Sequence, residues 1–526
     1  MALTKQDKAF AFRPIFVITP RQVPIERALG NLVVFIHTKG NPLSPARKSV
    51  RFSEYEQHLA RTFPGVSPRL GIMSKWLREN YLETDRMNGP EAEEVIAGLY
   101  PVHGVAIKLQ RSTSYRDFGL GLFTYGVLQE FSSIRDELRN YLWLGDKNPD
   151  EKDRLDLETL LIMESLEAAP TREPVKWVEG GEPLPRPYCP GHAAVFANDI
   201  SRLLAYKDLV PRKELIQWLT SLIGFHIALY SFKLFKAVPS LLDNGKPCDS
   251  TCNVDPWSEE PFKHCPHFIK FFADAGDNHK SSAAELARSY HDEILQMMSS
   301  YIYAHFTLRK LYEFGQEWSR LHPDTLPTAP ETVAEVVKLL KHPNLAQWAE
   351  LRIMNIVRDS DDKAAQLKEL NKVYKNTFQQ YLELAYPEVH ARQFRHHREF
   401  LDAVLGKNSD YGIMKAGAGP INKRRFYLSG GITELLLHLS ILNYHDKQGF
   451  YTEKTTVNRL LNILENRYGI MVDRIGLTER TSQIEAALKD NLAAFKTKLR
   501  EAGSFVDLSD ASNVQVLKPR FVIRRS

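Results

Sequence analysis

The chain has 526 residues, of which 43% are hydrophobic and 25% are charged. These shares are those of an ordinary globular protein and exclude global disorder, and the length predicts roughly two to four domains. The net charge of +5 is too small to indicate nucleic-acid binding by itself. The N-terminus has no apolar signal-peptide core, and the chain has only four cysteines. We therefore expect a reducing, cytoplasmic location.

Residues 1–150 predict a mixed domain. Short apolar runs rich in β-branched residues are typical of strands, and they lie at 14–20, 31–38 and 104–110. Helical patterns lie at 53–63 and 131–144. We expect an α/β or α+β N-terminal domain.

Residues 151–410 predict a helical domain. Its apolar residues recur at helical spacing, with Pro343, a DSDD run at 359–362 and Pro387 as breaks between helices. The predicted helices are 155–169, 211–236, 281–316, 330–342, 344–357, 361–385 and 388–405. The apolar stretch 215–232 barely reaches the length of a membrane span and contains several polar residues, so we interpret it as a buried core helix.

Three of the four cysteines lie within one polar segment of this domain. Cys248 and Cys252 form C-x3-C, Cys265 follows after twelve residues, and Cys189 precedes them in YCPGH. Thiolates at such spacing can hold Zn²⁺ tetrahedrally, and a site ligated by all four would be structural because no position stays open for water. A metal would also offset the cost of ordering so polar a loop. We predict a structural zinc site at these four residues.

Other interpretations of the cysteines stay open. His192 and His267 follow the two Cys-Pro pairs closely, and either histidine could replace one cysteine as a ligand. The four residues could instead be unrelated small buried side chains, which is how most free cysteines behave, or they could have a redox role.

Residues 411–526 predict a third domain. A glycine-bearing basic segment, 411–431, is followed by three helical patterns, at 432–442, 457–468 and 484–499, and by a hairpin pattern at 505–521. Three helices and a hairpin resemble a winged-helix domain, which implies DNA binding or protein interaction. The twelve residues between the second and third helices, 469–480, are longer than the turn of a helix-turn-helix. The whole chain is thus predicted to be a mainly α, multidomain protein.

Basic residues concentrate in this last region. Lysines and arginines there suit phosphate contacts, which supply affinity without reading base sequence. The candidate nucleic-acid-binding residues are Lys415, Lys423, Arg424, Arg425, Lys496, Lys518 and Arg520, with Lys489, Lys498 and Arg500 on the third helix beside them. A solvated surface without a ligand is the alternative.

The chain contains no complete catalytic motif. The residues VAIK at 105–108 match a kinase strand, but no HRD, DFG or upstream glycine-rich loop accompanies them. The glycines after residue 416 do not form a phosphate-binding loop, and no G-x-S-x-G or H-E-x-x-H occurs. We expect no catalytic activity; a nuclease or other DNA-processing site in the N-terminal domain is the alternative.

The order of the regions carries one further indication. A mixed N-terminal domain, a helical middle with few cysteines and a winged-helix-like end in LREAGSFVDLSDASNVQVLKPRF resemble the large accessory subunits of bacterial antiphage defence systems linked to DNA methylation or phosphorothioation. The resemblance implies a role beside other proteins of a defence operon, and it transfers no site residue. We therefore expect a zinc-stabilised subunit that binds nucleic acid, a partner ATPase or both, or else a pure protein scaffold. We expect no membrane association.

Overall fold

Helices form most of the part of the chain that the structure describes. The computed structural model describes residues 3–41, 51–62, 68–86, 94–99, 104, 117–142, 186–247, 252–358, 360–417, 423–476, 481–504 and 515–525. The helices in these residues are α1 Glu26–His37, α2 Phe52–Thr62, α3 Leu70–Asn80, α4 Leu120–Gln129, α5 Ser132–Leu142, α6 Pro190–Leu204, α7 Arg212–Asn244, α8 Ser282–Leu321, α9 Val333–Lys338, α10 Leu345–Arg358, α11 Asp361–Val373, α12 Thr377–Val404, α13 Gly430–Ile441, α14 Val457–Tyr468 and α15 Ser482–Glu501. The prediction of a mainly α protein is confirmed.

The strands are short and form two-stranded pairs. They are β1 Leu82–Arg86, β2 Glu94–Leu99, β3 Phe271–Phe272, β4 Met414–Ala416, β5 Arg424–Phe426, β6 Leu442–His445, β7 Gly449–Thr452, β8 Thr455–Thr456, β9 Ile470–Met471 and β10 Val516–Leu517. Antiparallel pairs join β1 to β2, β4 to β5, β6 to β7 and β8 to β10, while β3 and β9 are parallel.

Helix α7 lies at the centre of the core. Among the described residues it is the one helix long and apolar enough to cross a membrane, with a mean hydropathy of 1.4 over its most apolar 18 residues. However, 89% of that window is buried inside the protein, so the prediction of a buried core helix is confirmed. A side chain at Gly224 would lie 2.5 Å from the carbonyl oxygen of Val404, and the glycine therefore allows α12 to approach closely.

Helix α8 anchors the N-terminal segment. The buried ammonium group of Lys310 donates to the carbonyl oxygen of Gln6 over 2.5 Å and to the carboxylate of Glu313 over 2.9 Å. The backbone N–H of Phe12 donates to Nε2 of His305 over 3.2 Å. Burial lowers the pKa of His305 to about 3, so the ring stays neutral and Nε2 can accept this bond. Polar groups thus fix a segment that has no regular structure of its own.

The strand predictions for the N-terminal region were wrong where the structure describes them. Residues 31–38 lie mostly in α1, and residues 14–20 form a turn and irregular extended chain. An apolar run rich in valine and isoleucine fits a strand or a buried helix equally well, and here α4 packs so closely that a side chain at Gly121 would meet the backbone of α1 at 2.9 Å. Residues 105–110 lie outside the described residues. The β1–β2 hairpin was not predicted.

Proline 387 does not separate two helices as predicted. Helix α12 continues through it from Thr377 to Val404. A proline inside a helix removes one hydrogen bond and costs roughly 3 kcal/mol. Buried residues lie on both sides of it, Leu384 and Ala385 before and Val389 after, so packing offsets that cost. The predicted helix at 155–169 lies outside the described residues, and 361–385 is divided between α11 and α12.

The three helices predicted after residue 430 are present as α13, α14 and α15. The long connection between the second and third contains β9, which pairs with β3 from the middle of the chain, so these residues join two regions. Of the predicted terminal hairpin, β10 is described and pairs with β8, while residues 505–514 lie outside the described residues. The winged-helix arrangement stays a prediction.

One apolar core runs through the described regions. Buried hydrophobic residues from Leu3 to Leu517 form one contiguous cluster, with members before 150, between 186 and 405, and after 411. That the chain divides at residues 150 and 410 into three domains, each able to fold by itself, stays a prediction.

Candidate functional site

The cysteine loop, defined here as residues 252–268, lies against the start of α6. Cys189 is the residue immediately before that helix, and Pro190 is its first residue. A side chain at Gly191 would lie 2.9 Å from Sγ of Cys252, so the Cys252 thiol packs against the first turn of α6. The structure therefore places Cys252 at the N-terminus of α6, which is the end of the helix that Cys189 precedes. Cys248 lies outside the described residues.

Cys252 and Cys265 line one cleft, which has a volume of about 1060 Å³. His264 and His267 line it as well, as do Asp255 and Glu260. Within the described residues, no group of three or more His, Cys, Asp or Glu side chains is arranged to hold a metal ion. The four-cysteine site includes Cys248 and therefore stays a prediction.

The two candidate replacement ligands each have an unused ring nitrogen. His192 is buried, and its Nε2 lies 3.0 Å from the carbonyl oxygen of His226. Counting partners in the described part of the chain alone, Nδ1 of His192 and Nδ1 of His267 form no hydrogen bond. Burial, followed by the charge of Lys233, lowers the pKa of His192 well below its ordinary value. The neutral ring that results is the form that binds a metal.

A buried ion pair holds the cysteine loop in place. Arg467 of α14 contacts Asp199 of α6, with 2.5 Å between Nη2 and Oδ1, and both side chains are almost fully buried. Nη1 of Arg467 also donates to the carbonyl oxygens of Pro256 and Ser258, each over 2.9 Å. One guanidinium group thereby connects α14, α6 and the loop. Its donors are well satisfied, as a buried charge requires.

The charge state of this cluster follows from its contacts. His226 contributes Nε2 at 3.0 Å from Oδ2 of Asp199. Burial by itself raises the pKa of the Asp199 carboxyl, but the charge of Arg467 and the hydrogen bond from His226 outweigh it and hold the pKa well below its ordinary value. Burial is the largest effect on His226 and lowers its pKa despite the nearby carboxylate. Asp199 is therefore ionised and His226 neutral at neutral pH.

A second buried arginine extends the cluster to α13. Nη2 of Arg202 donates to the carbonyl oxygens of Leu439 and Leu442, over 2.6 Å and 2.5 Å, at the end of that helix. These carbonyls lack partners within the helix, and a cation is favourable at a helix C-terminus. Helices α6, α13 and α14 are thus joined by two guanidinium groups.

Four of the predicted nucleic-acid-binding residues form ion pairs within the protein. Arg425 is buried with Nε 2.8 Å from Oδ2 of Asp274, and Arg424 makes a bidentate pair with Asp402 over 2.6 and 2.7 Å. Both lie on β5, where the sequence had indicated a basic loop. The other two pairs are Lys415 with Asp277 at 2.9 Å and Arg520 with Glu434 at 2.6 Å.

Of the other candidate basic residues, Lys498 donates to the hydroxyl of Tyr427 over 3.0 Å, and four further lysines lie wholly or partly at the surface. Lys423 and Lys518 are exposed and Lys496 is half-buried on α15. Lys489, which is exposed, lies seven residues before Lys496 and therefore on the same face of the helix. None of these four lysines has an ion-pair partner among the residues that the structure describes. Nucleic-acid binding by this region stays a prediction.

The chain as a whole is similar to one known protein family. The model of the methylation-associated defense system protein MAD7 family matches residues 5–521, which is nearly the whole chain. The chain belongs to this family. The resemblance to accessory subunits of modification-linked antiphage defence systems is thereby confirmed. Neither the comparison with curated proteins nor that with solved structures found a match.

The residues that organise the site in this family member were not predicted from the sequence. Asp199 and Arg467 are 268 residues apart. A single buried carboxylate in one helix and a single arginine in another give no local signal. Arg467 follows an apolar helical pattern and Asp199 lies in a helix with several other buried polar residues, and neither feature predicts a partner.

We predict that Arg467→Met strongly destabilises the protein. The change leaves Asp199 buried without its main counter-charge, and breaking a buried ion pair in this way costs about 3–5 kcal/mol. The matched control is Arg459→Met on the same helix, because Arg459 contacts Glu259 of the same loop in an exposed pair. That change should cost at most about 1 kcal/mol. Urea denaturation measures both, and equal effects would contradict the assigned role of Arg467.

Proposed function

We propose that this chain is a non-catalytic, zinc-stabilised subunit of its methylation-associated defence system, which docks nucleic acid through a basic surface after residue 411. It acts in the cytoplasm beside other proteins of that system. Membership of the family supports the defence role. The observation that supports the docking role best is the group of lysines on and near α15 that have no carboxylate partner in the described residues.

The zinc part of the proposal rests on the cysteine loop. Cys252 lies against the start of α6, and Cys265 lines the same cleft as Cys252. Cys189 and Cys248 complete the donor set, with His192 or His267 as the replacement for one thiolate. Thiolate and imidazole donors are those that zinc prefers, and a closed tetrahedral site stabilises a fold without taking part in chemistry.

We predict about one zinc ion per purified chain. Replacing Cys252 and Cys265 together by serine should remove it, while Lys263→Ala, in the same cleft, should not. Elemental analysis measures the metal content. Because the double variant could unfold, cobalt-loaded wild-type protein provides an independent reading through its thiolate charge-transfer absorption. Less than about half an equivalent of zinc, or stability unchanged by a chelator, would reject the site.

The nucleic-acid part rests on the lysine surface, defined as Lys489, Lys496 and Lys518. The first two share one face of α15. Lys518 adjoins the end of that helix, because its backbone N–H donates to the carbonyl oxygen of Ser504 over 2.8 Å. Such a row supplies phosphate contacts without base readout. Arg424 and Arg425 support the structure beneath and are not part of this surface.

We predict that replacing the three lysines of the lysine surface by alanine weakens binding of a labelled DNA duplex. Log affinity falls as log salt concentration rises, and each lost phosphate contact makes this slope less steep by about one. The slope of the triple variant should therefore be less steep than that of the wild type by about two to three. The control carries the same charge change at exposed positions elsewhere, Lys75, Lys341 and Lys368. Fluorescence anisotropy over a salt series measures the slopes.

The other outcomes separate the competing functions. Slopes that are equal in the two triple variants would contradict docking at the lysine surface. No duplex binding even at low salt would leave a scaffold or a subunit that docks a partner ATPase. Metal-dependent cleavage of the duplex by the full chain would contradict the non-catalytic assignment and favour a nuclease.

A further inference from the structure

An exposed group of aromatic rings lies where the cysteine loop meets the β6–β7 hairpin. The rings of Trp257 and Tyr444 are stacked, with centroids 4.1 Å apart and planes at 22°. Each side chain remains 41% exposed. Phe450 completes the group, 5.3 Å from Tyr444 and 5.8 Å from Trp257. We name these three residues the aromatic platform.

The platform is held rigidly by its surroundings. Tyr444 and Phe450 are directly opposite each other in the β6–β7 pairing, which places their side chains on one face of the hairpin. The backbone N–H of Trp257 donates to Oδ1 of Asp255 over 2.9 Å. Arg459 bridges the loop and the hairpin through Glu259 at 2.6 Å and Asn443 at 3.1 Å. Its geometry is therefore set before any ligand arrives.

Rigid, clustered aromatic rings on a surface differ from single exposed apolar residues, which are ordinary. Tryptophan and tyrosine are the side chains that most often dominate the binding energy of protein interfaces. Other exposed apolar side chains in the described part of the chain, such as Leu351 and Met354 on α10, carry no such stacked arrangement.

The charges around the platform decide between two kinds of ligand. Trp257 is flanked by Asp255, Glu259 and Glu260. Arg459 forms an ion pair with Glu259. Glu260 lies 3.5 Å from the ammonium group of Lys263 and accepts a hydrogen bond from Nδ2 of Asn466 over 3.3 Å, and the side chains of both Asp255 and Glu260 are exposed. The turn of the hairpin carries one acidic and one basic residue, Asp446 and Lys447, and so adds no net charge. The rim beside the tryptophan is therefore acidic, which repels a phosphate backbone and attracts a cation.

We propose that the aromatic platform docks an arginine-bearing segment of a partner protein. A guanidinium group can stack on the outer face of an aromatic ring by a cation–π interaction while its N–H groups reach a neighbouring carboxylate. Asp255 and Glu260 supply that carboxylate, and the rings accept the apolar stem of the arginine and its neighbours. This surface is distinct from the lysine surface, and the proposal does not rest on nucleic-acid binding.

The test uses the full chain and a defined probe. The probe is a fluorescein-labelled twelve-residue peptide with three arginines spaced among leucine, serine and glycine, and its twin has glutamate in place of each arginine. Trp257→Ala should weaken binding of the arginine peptide by roughly 3- to 30-fold, the range of a cation–π contact. Asp255→Asn should weaken it as well, since asparagine keeps the hydrogen bond to the Trp257 backbone but loses the charge.

Two controls test whether the effect of Trp257→Ala is specific to the platform and whether the variants are folded. Leu351→Ala removes another exposed apolar side chain and should leave peptide binding unchanged, and urea denaturation confirms that each variant is folded. Binding of the arginine peptide weaker than about 1 mM, equal binding of the glutamate twin, or no effect of Trp257→Ala would overturn the proposal. Loss of oligo(dT)20 binding on Trp257→Ala, with peptide binding intact, would show that the platform stacks nucleic-acid bases instead.

Discussion

The buried ion pair between Asp199 and Arg467 is the interaction on which the rest of the site depends. It joins α6 to α14 across 268 residues of sequence. The same guanidinium group binds the carbonyl oxygens of Pro256 and Ser258, the two residues on either side of Trp257. Arg467 therefore holds the part of the cysteine loop that carries Trp257 against α6 and α14. Removing one partner of so fully buried an ion pair strongly destabilises the fold, because the remaining charge would stay buried and uncompensated.

This constraint also explains how the end of the chain is attached to its middle. From the sequence, the connection between α14 and α15 was only noted to be longer than the turn of a helix-turn-helix. In the structure it contains β9, which pairs with β3, and Arg467 lies just before it. Described residues after 411 are therefore part of one apolar core with the central helices. Helix α15 is attached to the same core through its buried residues Leu488, Phe495 and Leu499.

Local patterns in the sequence predicted the helices and little of their assembly. The central helices α7 and α8 and the three C-terminal helices were predicted because apolar residues recur at helical spacing. Residues 31–38 were wrongly expected to be a strand, since burial by α4 is not visible in a run of valines and isoleucines. Pro387 was wrongly expected to end a helix, since packing on both sides offsets its cost. Partners distant in sequence, as for Arg425 and Asp274, leave no local signal, and so a basic segment was interpreted as free.

The basic residues of the C-terminal region fall into two groups, those in ion pairs and those without one among the described residues, and this difference refines the functional hypothesis. Arginines on β5 have carboxylate partners, whereas Lys489, Lys496 and Lys518 have no ion-pair partner among the described residues. Arginine suits the paired, partly buried positions because its planar group binds carboxylates bidentately, and lysine suits solvated ones. The proposed nucleic-acid contacts therefore fall on lysines that form no ion pair among the described residues, and the β5 arginines stabilise the fold.

A double-mutant cycle between Asp199→Asn and Arg467→Met tests the central role of the buried pair most directly. Each single change should be strongly destabilising, whereas the double variant removes both charges and should be less destabilised than the sum by at least about 2 kcal/mol. The measurement is the free energy of unfolding in urea for the four proteins. Effects that add to within about 0.5 kcal/mol would show that the two side chains act independently and would contradict the account.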